Sequence, residues 1–259
     1  MRTYAIVNRK GGVGKTTTAI ELAYTLATSY GQRVLLCDAD SQGDATAVLR
    51  SGPVSDGMAC VLQGDEPFYE CLIGETDVPN LHLLPAGEPL ARMDMECLLG
   101  EVKPNFMALR EFIETLAEDD VYDTVVIDCP PYYSLSCLNA IAACDGVIIP
   151  TGTDAYSAVG MEGLVEQIDS IRRVNPKVRV LGALVTKWHK AAVVEDAVDY
   201  LRDTGAVPVF KTVIRRTDKV EEASWCRLTT QQWSPFSSAS RDYRAFAAEL
   251  LRKEGLLHE

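Results

Sequence analysis

The chain has 259 residues, 47% hydrophobic and 24% charged, and its 25 Lys and Arg against 37 Asp and Glu leave a formal net charge of −12. A chain of this length buries roughly three quarters of the surface its unfolded form exposes, so disorder and dependence on disulfides are both poor readings. The eight cysteines include no C-x-x-C pair and no zinc-finger spacing, which argues against a redox dithiol or a zinc module and fits a reducing cytosol.

From its start at Met1-Arg-Thr-Tyr-Ala the chain enters an apolar strand without the long apolar core and cleavage site of a signal peptide. No run approaches the ~18 apolar residues of a spanning helix, so the expectation is a soluble, cytoplasmic protein. Strands are predicted near Thr3–Asn8, Val34–Asp38, Leu81–Pro85, Thr124–Asp128, Gly146–Pro150, Val178–Thr186 and Val207–Thr212. Most are continuous apolar runs, as parallel strands covered on both faces are. Helical patterns fall between them at Lys15–Tyr30, Phe106–Glu118, Ser134–Ala143, Ala158–Arg173, Val193–Asp203 and Ser238–Lys253. This alternation predicts one doubly wound α/β domain over residues 1–259, with a mostly parallel sheet and helices on both faces. The stretch Ser51–Pro104, rich in Gly, Pro and acids, reads as surface loops and short helices that add little to function.

Charge is unevenly spread. Residues 1–130 hold 9 basic and 21 acidic side chains, residues 131–259 hold 16 of each, and residues 171–219 carry 11 basic against 5 acidic. A polyanion is expected to meet that last stretch.

The strongest local signal is Asn8-Arg-Lys-Gly-Gly-Val-Gly-Lys-Thr-Thr-Thr18, directly after the first strand and opening a helix. Such a turn lets backbone N–H groups close round phosphate oxygens, with the positive end of the helix dipole behind them. Residues Gly11, Gly12, Val13, Gly14, Lys15, Thr16 and Thr17 would cradle a nucleotide. Lys15 would reach the β and γ phosphates, and the Thr16 hydroxyl would ligate Mg²⁺. The position six before Lys15 is Arg9 rather than the usual Gly, and the loop carries a second lysine, Lys10. That cation would offset charge developing in phosphoryl transfer.

This loop resembles that of the deviant Walker A ATPases of the ParA/MinD family, K-G-G-x-G-K-[ST]. The resemblance implies that Lys10 is a signature lysine crossing to the nucleotide of a second subunit, so that ATP is sandwiched in a homodimer. Strand two ends in Asp38-Ala-Asp-Ser-Gln-Gly-Asp-Ala-Thr46, similar to the family motif D-x-D-P-Q-G-N-A-T. Two carboxylates two apart, Asp38 and Asp40, are expected on one face at the carboxyl end of a strand, facing the phosphate crevice. By resemblance Asp38 supports the Mg²⁺ shell and Asp40 positions the attacking water. A third acid, Asp128, closes Tyr122-Asp-Thr-Val-Val-Ile-Asp-Cys-Pro-Pro131 and sits where a Walker B carboxylate holds Mg²⁺.

Two distal segments resemble the family more loosely: Asp145–Thr151 followed by Tyr156 and Gly160, and Lys211–Ala223, in which Arg215 and Thr217 replace a Pro and an Asn. The resemblance is closest to the small Soj-like members that lack an extension before the first strand. It implies an ATPase that dimerises on Mg·ATP, binds DNA without sequence preference, associates with the nucleoid and is reset by hydrolysis, slow and stimulated by a ParB-like centromere-binding partner. Candidate DNA contacts are Lys190, Arg216 and Lys219. The alternatives are a MinD-like membrane-associated ATPase or a nucleotide-gated adaptor without useful turnover. A membrane anchor would need a basic amphipathic tail, whereas the tail from Tyr243 carries one apolar stripe, as a helix docked on a sheet does, and ends in Glu259. No stable membrane association is expected.

Overall fold

The structure, a computed structural model, describes residues 1–52, 56–64, 72–153, 163, 166, 169, 172–204 and 207–257. Its strands are β1 (Arg2–Ile6), β2 (Val34–Asp38), β3 (Gly74–Glu75), β4 (Leu81–Leu84), β5 (Thr124–Asp128), β6 (Gly146–Thr151), β7 (Arg179–Trp188) and β8 (Val209–Arg215). They form one sheet in the order β3-β4-β2-β5-β1-β6-β7-β8. All neighbours are parallel except the edge pair of β3 with β4. The described helices are α1 (Lys15–Tyr30), α2 (Asp44–Leu49), α3 (Gly57–Gln63), α4 (Glu88–Leu99), α5 (Ala108–Glu118), α6 (Leu135–Ala143), α7 (Ala192–Thr204), α8 (Lys219–Trp225), α9 (Thr230–Trp233) and α10 (Ser238–Lys253).

Alternate residues of each central strand enter two separate cores. Ala5, Leu35, Cys37, Val125 and Ile127 pack on one face with residues of α3 to α7. Tyr4, Ile6, Val34, Leu36 and Val126 pack on the other with α1, α2 and α10. That period of two, with both faces apolar, makes the central strands continuous apolar runs and produces the doubly wound arrangement. The tail stripe is part of this packing: Tyr243, Phe246, Ala247, Leu250 and Leu251 are buried, and Phe246 meets Phe210 edge to face at 5.0 Å between ring centroids.

α10 and the segment before it are also tied to α1 by polar contacts. The Thr18 and Tyr243 hydroxyls lie 3.3 Å apart. The buried Glu21 carboxylate accepts from the Thr230 backbone N–H and from the Gln231 amide, and Gln231 also donates to Thr25 at 2.8 Å. These bonds offset part of the cost of burying Glu21, whose pKa burial raises.

The region 51–104 departs from expectation. It contributes Met58, Leu62, Leu72, Leu90 and Met93 to the core, supplies the edge pair β3 and β4, and includes the twelve-residue α4. Most of the predicted helix Ala158–Arg173, together with Tyr156 and Gly160, lies outside the described residues.

Candidate nucleotide site and basic surface

β1 ends at Ile6, and the chain turns back over the sheet edge before α1 begins at Lys15. Gly12 and Gly14 have φ of 71° and 82°, the left-handed conformation that glycine adopts at no steric cost, and Gly14 is the N-cap of α1. The loop is pinned on both sides. Asn8 donates from its amide to the Pro150 carbonyl at 2.7 Å and accepts from the Lys10 N–H at 2.9 Å. Thr186, at the end of β7, donates to the Val13 carbonyl at 2.8 Å. The Arg9 guanidinium lies 5.3 Å from the centroid of the Tyr133 ring, a cation–π distance.

Lys15 is buried, and its ammonium reaches back across the loop to the Lys10 carbonyl at 3.3 Å. Burial lowers its pKa, opposed by the carboxylates of Asp128 and Asp40. Gly11, Gly12, Val13, Gly14, Lys15, Thr16 and Thr17 span the turn into α1, beside two buried carboxylates. These are Asp38 and Asp128, which face each other across adjacent parallel strands in the register Asp38↔Asp128.

Their surroundings differ. Asp38 accepts from the Thr46 N–H at 2.8 Å, the Thr46 hydroxyl at 2.7 Å and the Asp40 N–H at 3.2 Å. Burial still pushes its pKa up to about 6, against the effect of those bonds. Asp128 is fully buried, and neither of its carboxylate oxygens has a hydrogen-bond partner. Burial and then the Asp38 charge hold it well above the usual carboxylate range, with the neighbouring Thr16 hydroxyl acting the other way. An orphaned buried carboxylate beside a second acid and a threonine hydroxyl fits a divalent cation held partly by phosphate oxygens and water.

Asp40 stands apart from this pair. β2 ends at Asp38, so Asp40 lies in the turn beyond the strand, half-buried, accepting from the Gln42 N–H at 3.0 Å. The turn is fixed at Gly43, where φ is 67° and an added Cβ would stand 3.1 Å from the Ala86 carbonyl. Thr46 links the same two segments, since its hydroxyl accepts from the Ala86 N–H at 3.0 Å while donating to Asp38.

Asp94 of α4 is a further acid here. Burial and the Asp40 charge raise its pKa, which brings the region 51–104 to the edge of the site rather than leaving it peripheral. Thr46 was legible as part of the strand-two motif. Asn8 stood inside the loop sequence without a role, and nothing in the local sequence marks Thr186 or Asp94.

A family model described as an AAA domain, AAA_31, matches residues 1–180. The chromosome-partitioning ATPase Soj of Thermus thermophilus is 39% identical over 98% of this chain and 96% of its own. The chain belongs to the ParA/MinD family of ATPases. The chromosome partitioning protein ParA of Caulobacter vibrioides is 31% identical over 98% of this chain and 95% of its own. Among solved structures, cobyrinic acid a,c-diamide synthase from Mycobacterium smegmatis with bound ATP analogue and magnesium is 32% identical, with a TM-score of 0.82 over 97% of this chain and 94% of that one.

Within this family architecture the basic stretch 171–219 is not one surface. β7 is ten residues long, roughly 30 Å, and separates its two halves. Arg172, Arg173, Lys177 and Arg179 lie at the amino end of β7, away from the phosphate loop, and Arg172 and Arg179 are paired there with Asp169 and Glu254. Lys187 lies at the carboxyl end of β7, and Lys190, Arg216 and Lys219 lie beyond the carboxyl ends of β7 and β8, where the Arg216 N–H donates to the Trp188 carbonyl at 2.8 Å and holds the two turns together. All four are exposed.

Two basic groups at this end carry acids of their own. Arg215 is held by Asp242 through two side-chain bonds of 2.9 and 2.6 Å. Lys219 contacts both oxygens of Glu222 at 2.8 and 2.7 Å. The candidate contacts Lys190, Arg216 and Lys219 thus share one end of the sheet with the phosphate loop, but only part of the basic stretch joins them.

Proposed function

We propose that this chain is a partition ATPase that binds DNA nonspecifically as an ATP-bound homodimer and is released by hydrolysis. The observation that carries the nucleotide reading is the orphaned Asp128 carboxylate beneath a glycine loop whose buried Lys15 faces it. ATP and Mg²⁺ would satisfy both. The loop N–H groups from Gly11 to Thr17 take the phosphates, Lys15 pairs with the β and γ phosphates, and Thr16 and Asp128 hold the cation with Asp38 supporting its shell. The cation, when bound, neutralises charge on the β and γ oxygens.

Asp40 lies beyond the buried pair on the solvent side, suited to orient a water for attack on the γ phosphate and accept its proton. Lys10, at the mouth of the loop, would reach a partner's nucleotide. Partner stimulation of a slow reaction fits an acidic face on residues 1–130 meeting a basic peptide.

The chromosome-partitioning Soj and ParA relatives support partition as the process. The cluster of Lys187, Lys190, Arg216 and Lys219 supports DNA as the surface partner. Burial of the apolar stripe of α10 speaks against its use as a membrane anchor, and no helix among the described residues is long and apolar enough to cross a membrane.

The test is a titration of random-sequence duplex with ATP, ADP or no nucleotide. Retardation with ATP alone is expected, weakening steeply with salt. Equal binding in all three states would reject nucleotide-gated DNA binding. Lys219→Glu should weaken retardation about three- to ten-fold, and unchanged retardation would exclude that surface.

A further inference from the structure

Lys219 is not the only donor to Glu222. The indole N–H of Trp233, from α9, reaches the same carboxylate oxygen that Lys219 approaches at 2.7 Å, at a distance of 2.9 Å. An ammonium and an N–H from separate elements thus converge on one oxygen at the surface, where the Lys219 and Glu222 side chains are 45% and 41% exposed. Their joint effect lowers the Glu222 pKa, Lys219 first and Trp233 second.

We infer that Lys219 and Trp233 form an anion clamp for a phosphate of the DNA backbone, and that Glu222 fills this clamp in the free protein as an internal stand-in for the phosphate. The inference rests on the DNA-binding reading above and adds Trp233 and Glu222 to it.

Three features of the chemistry favour exchange. The internal ligand is an exposed carboxylate three residues from its lysine, a pairing that contributes little to stability and is screened by salt. A phosphodiester offers the same two-oxygen acceptor face. Duplex DNA also brings several phosphates at once, so that contacts at Arg216 and Lys190 help displace Glu222. Glu221, the adjacent exposed acid, makes no such contact among the described residues, so the clamp singles out one carboxylate rather than the acidity of the helix.

The experiment compares wild type, Glu222→Gln, Glu221→Gln and the double variant Glu222→Gln with Trp233→Phe. Each is titrated with a short random-sequence duplex in ATP and Mg²⁺, and each melting curve is checked against wild type. Glu222→Gln should bind about two- to five-fold tighter, the scale of one exposed ion pair, and Glu221→Gln should change by less than half of that. Adding Trp233→Phe, which keeps the ring and removes the N–H, should lose most of the gain. Equal gains from both glutamate variants would assign the effect to general charge and overturn the clamp. So would a double variant that binds as tightly as Glu222→Gln. A wild-type protein that fails to bind duplex in any nucleotide state defeats the DNA reading itself, whatever the variants do. Sedimentation with phosphatidylglycerol vesicles that responds to Glu222→Gln while duplex binding does not would assign the anion to a lipid headgroup and overturn the inference.

Discussion

The carboxylates under the phosphate loop and the cations beyond β7 and β8 are two charged regions at the same end of one sheet, arranged by opposite rules. Under the loop, like charges are buried together, and the Asp128 carboxylate has no donor beside it but the Thr16 hydroxyl. On the basic surface the charges are exposed, and Arg215 and Lys219 already have partners. The first arrangement costs stability until a cation and phosphates arrive, so binding there is a response to a deficit. The second costs almost nothing, so binding there is an exchange of one weak counter-ion for another.

The comparison is sharpest at Lys15. Lys15→Ala removes the only cation facing the buried acids from within the loop helix, and ATP affinity should fall by at least ~100-fold, the usual scale for truncating a buried charge contact. Nucleotide binding retained in a calorimetric titration would dismantle the account of the loop.

Asp40→Ala probes the carboxylate outside the buried pair. It should bind ATP normally, turn over on the order of 100-fold more slowly and accumulate as dimer, because only the proton-accepting group is lost. Wild-type phosphate release by this variant would remove Asp40 from the chemistry.

The smallest expected effect lies in the pH dependence of stability without ligand. Asp38 titrates at about 6 in the fold against an ordinary 3.8, and Asp128 is shifted in the same direction. The folded state therefore binds protons more tightly than the unfolded chain, and their contribution is fully present at low pH and lost as pH rises, for Asp38 from about 4 through 6. Between pH 5 and pH 7 the ligand-free protein should lose at least about 1 kcal/mol, the share of Asp38, with Asp128 adding in the same direction. Asp38→Asn should flatten the profile, as should saturating Mg·ATP. A thermal melt that is already flat in the wild type would contradict the buried-pair description.

The elements around the phosphate loop were largely readable because their signals are local. Gly14 and Gly31 bracket α1 at the predicted ends, and apolar runs closing in Asp38 and Asp128 gave β2 and β5 their predicted limits. α4 was obscured because its apolar residues fall on two faces, Leu90 and Met93 inward, Met95, Leu98 and Leu99 outward, which blurs a helical period. β3 has two residues, too few to register as a pattern. The basic surface misled for a different reason: charge summed along 171–219 ignores β7, which leaves Arg172, Arg173, Lys177 and Arg179 at the far end of the sheet, and ignores Asp242 of α10 and Glu254 just after it.

The ties between α1 and the C-terminal segment bear on how the chain is made. Glu21 leaves the ribosome more than two hundred residues before Thr230 and Gln231, the donors that satisfy it when buried. Until they emerge, the inner face of α1 holds a carboxylate that favours water, and α10 is missing from the apolar surface beside it. The face of α1 behind the phosphate loop therefore waits for donors and apolar partners more than two hundred residues further along the chain, and stays incomplete until α10 docks.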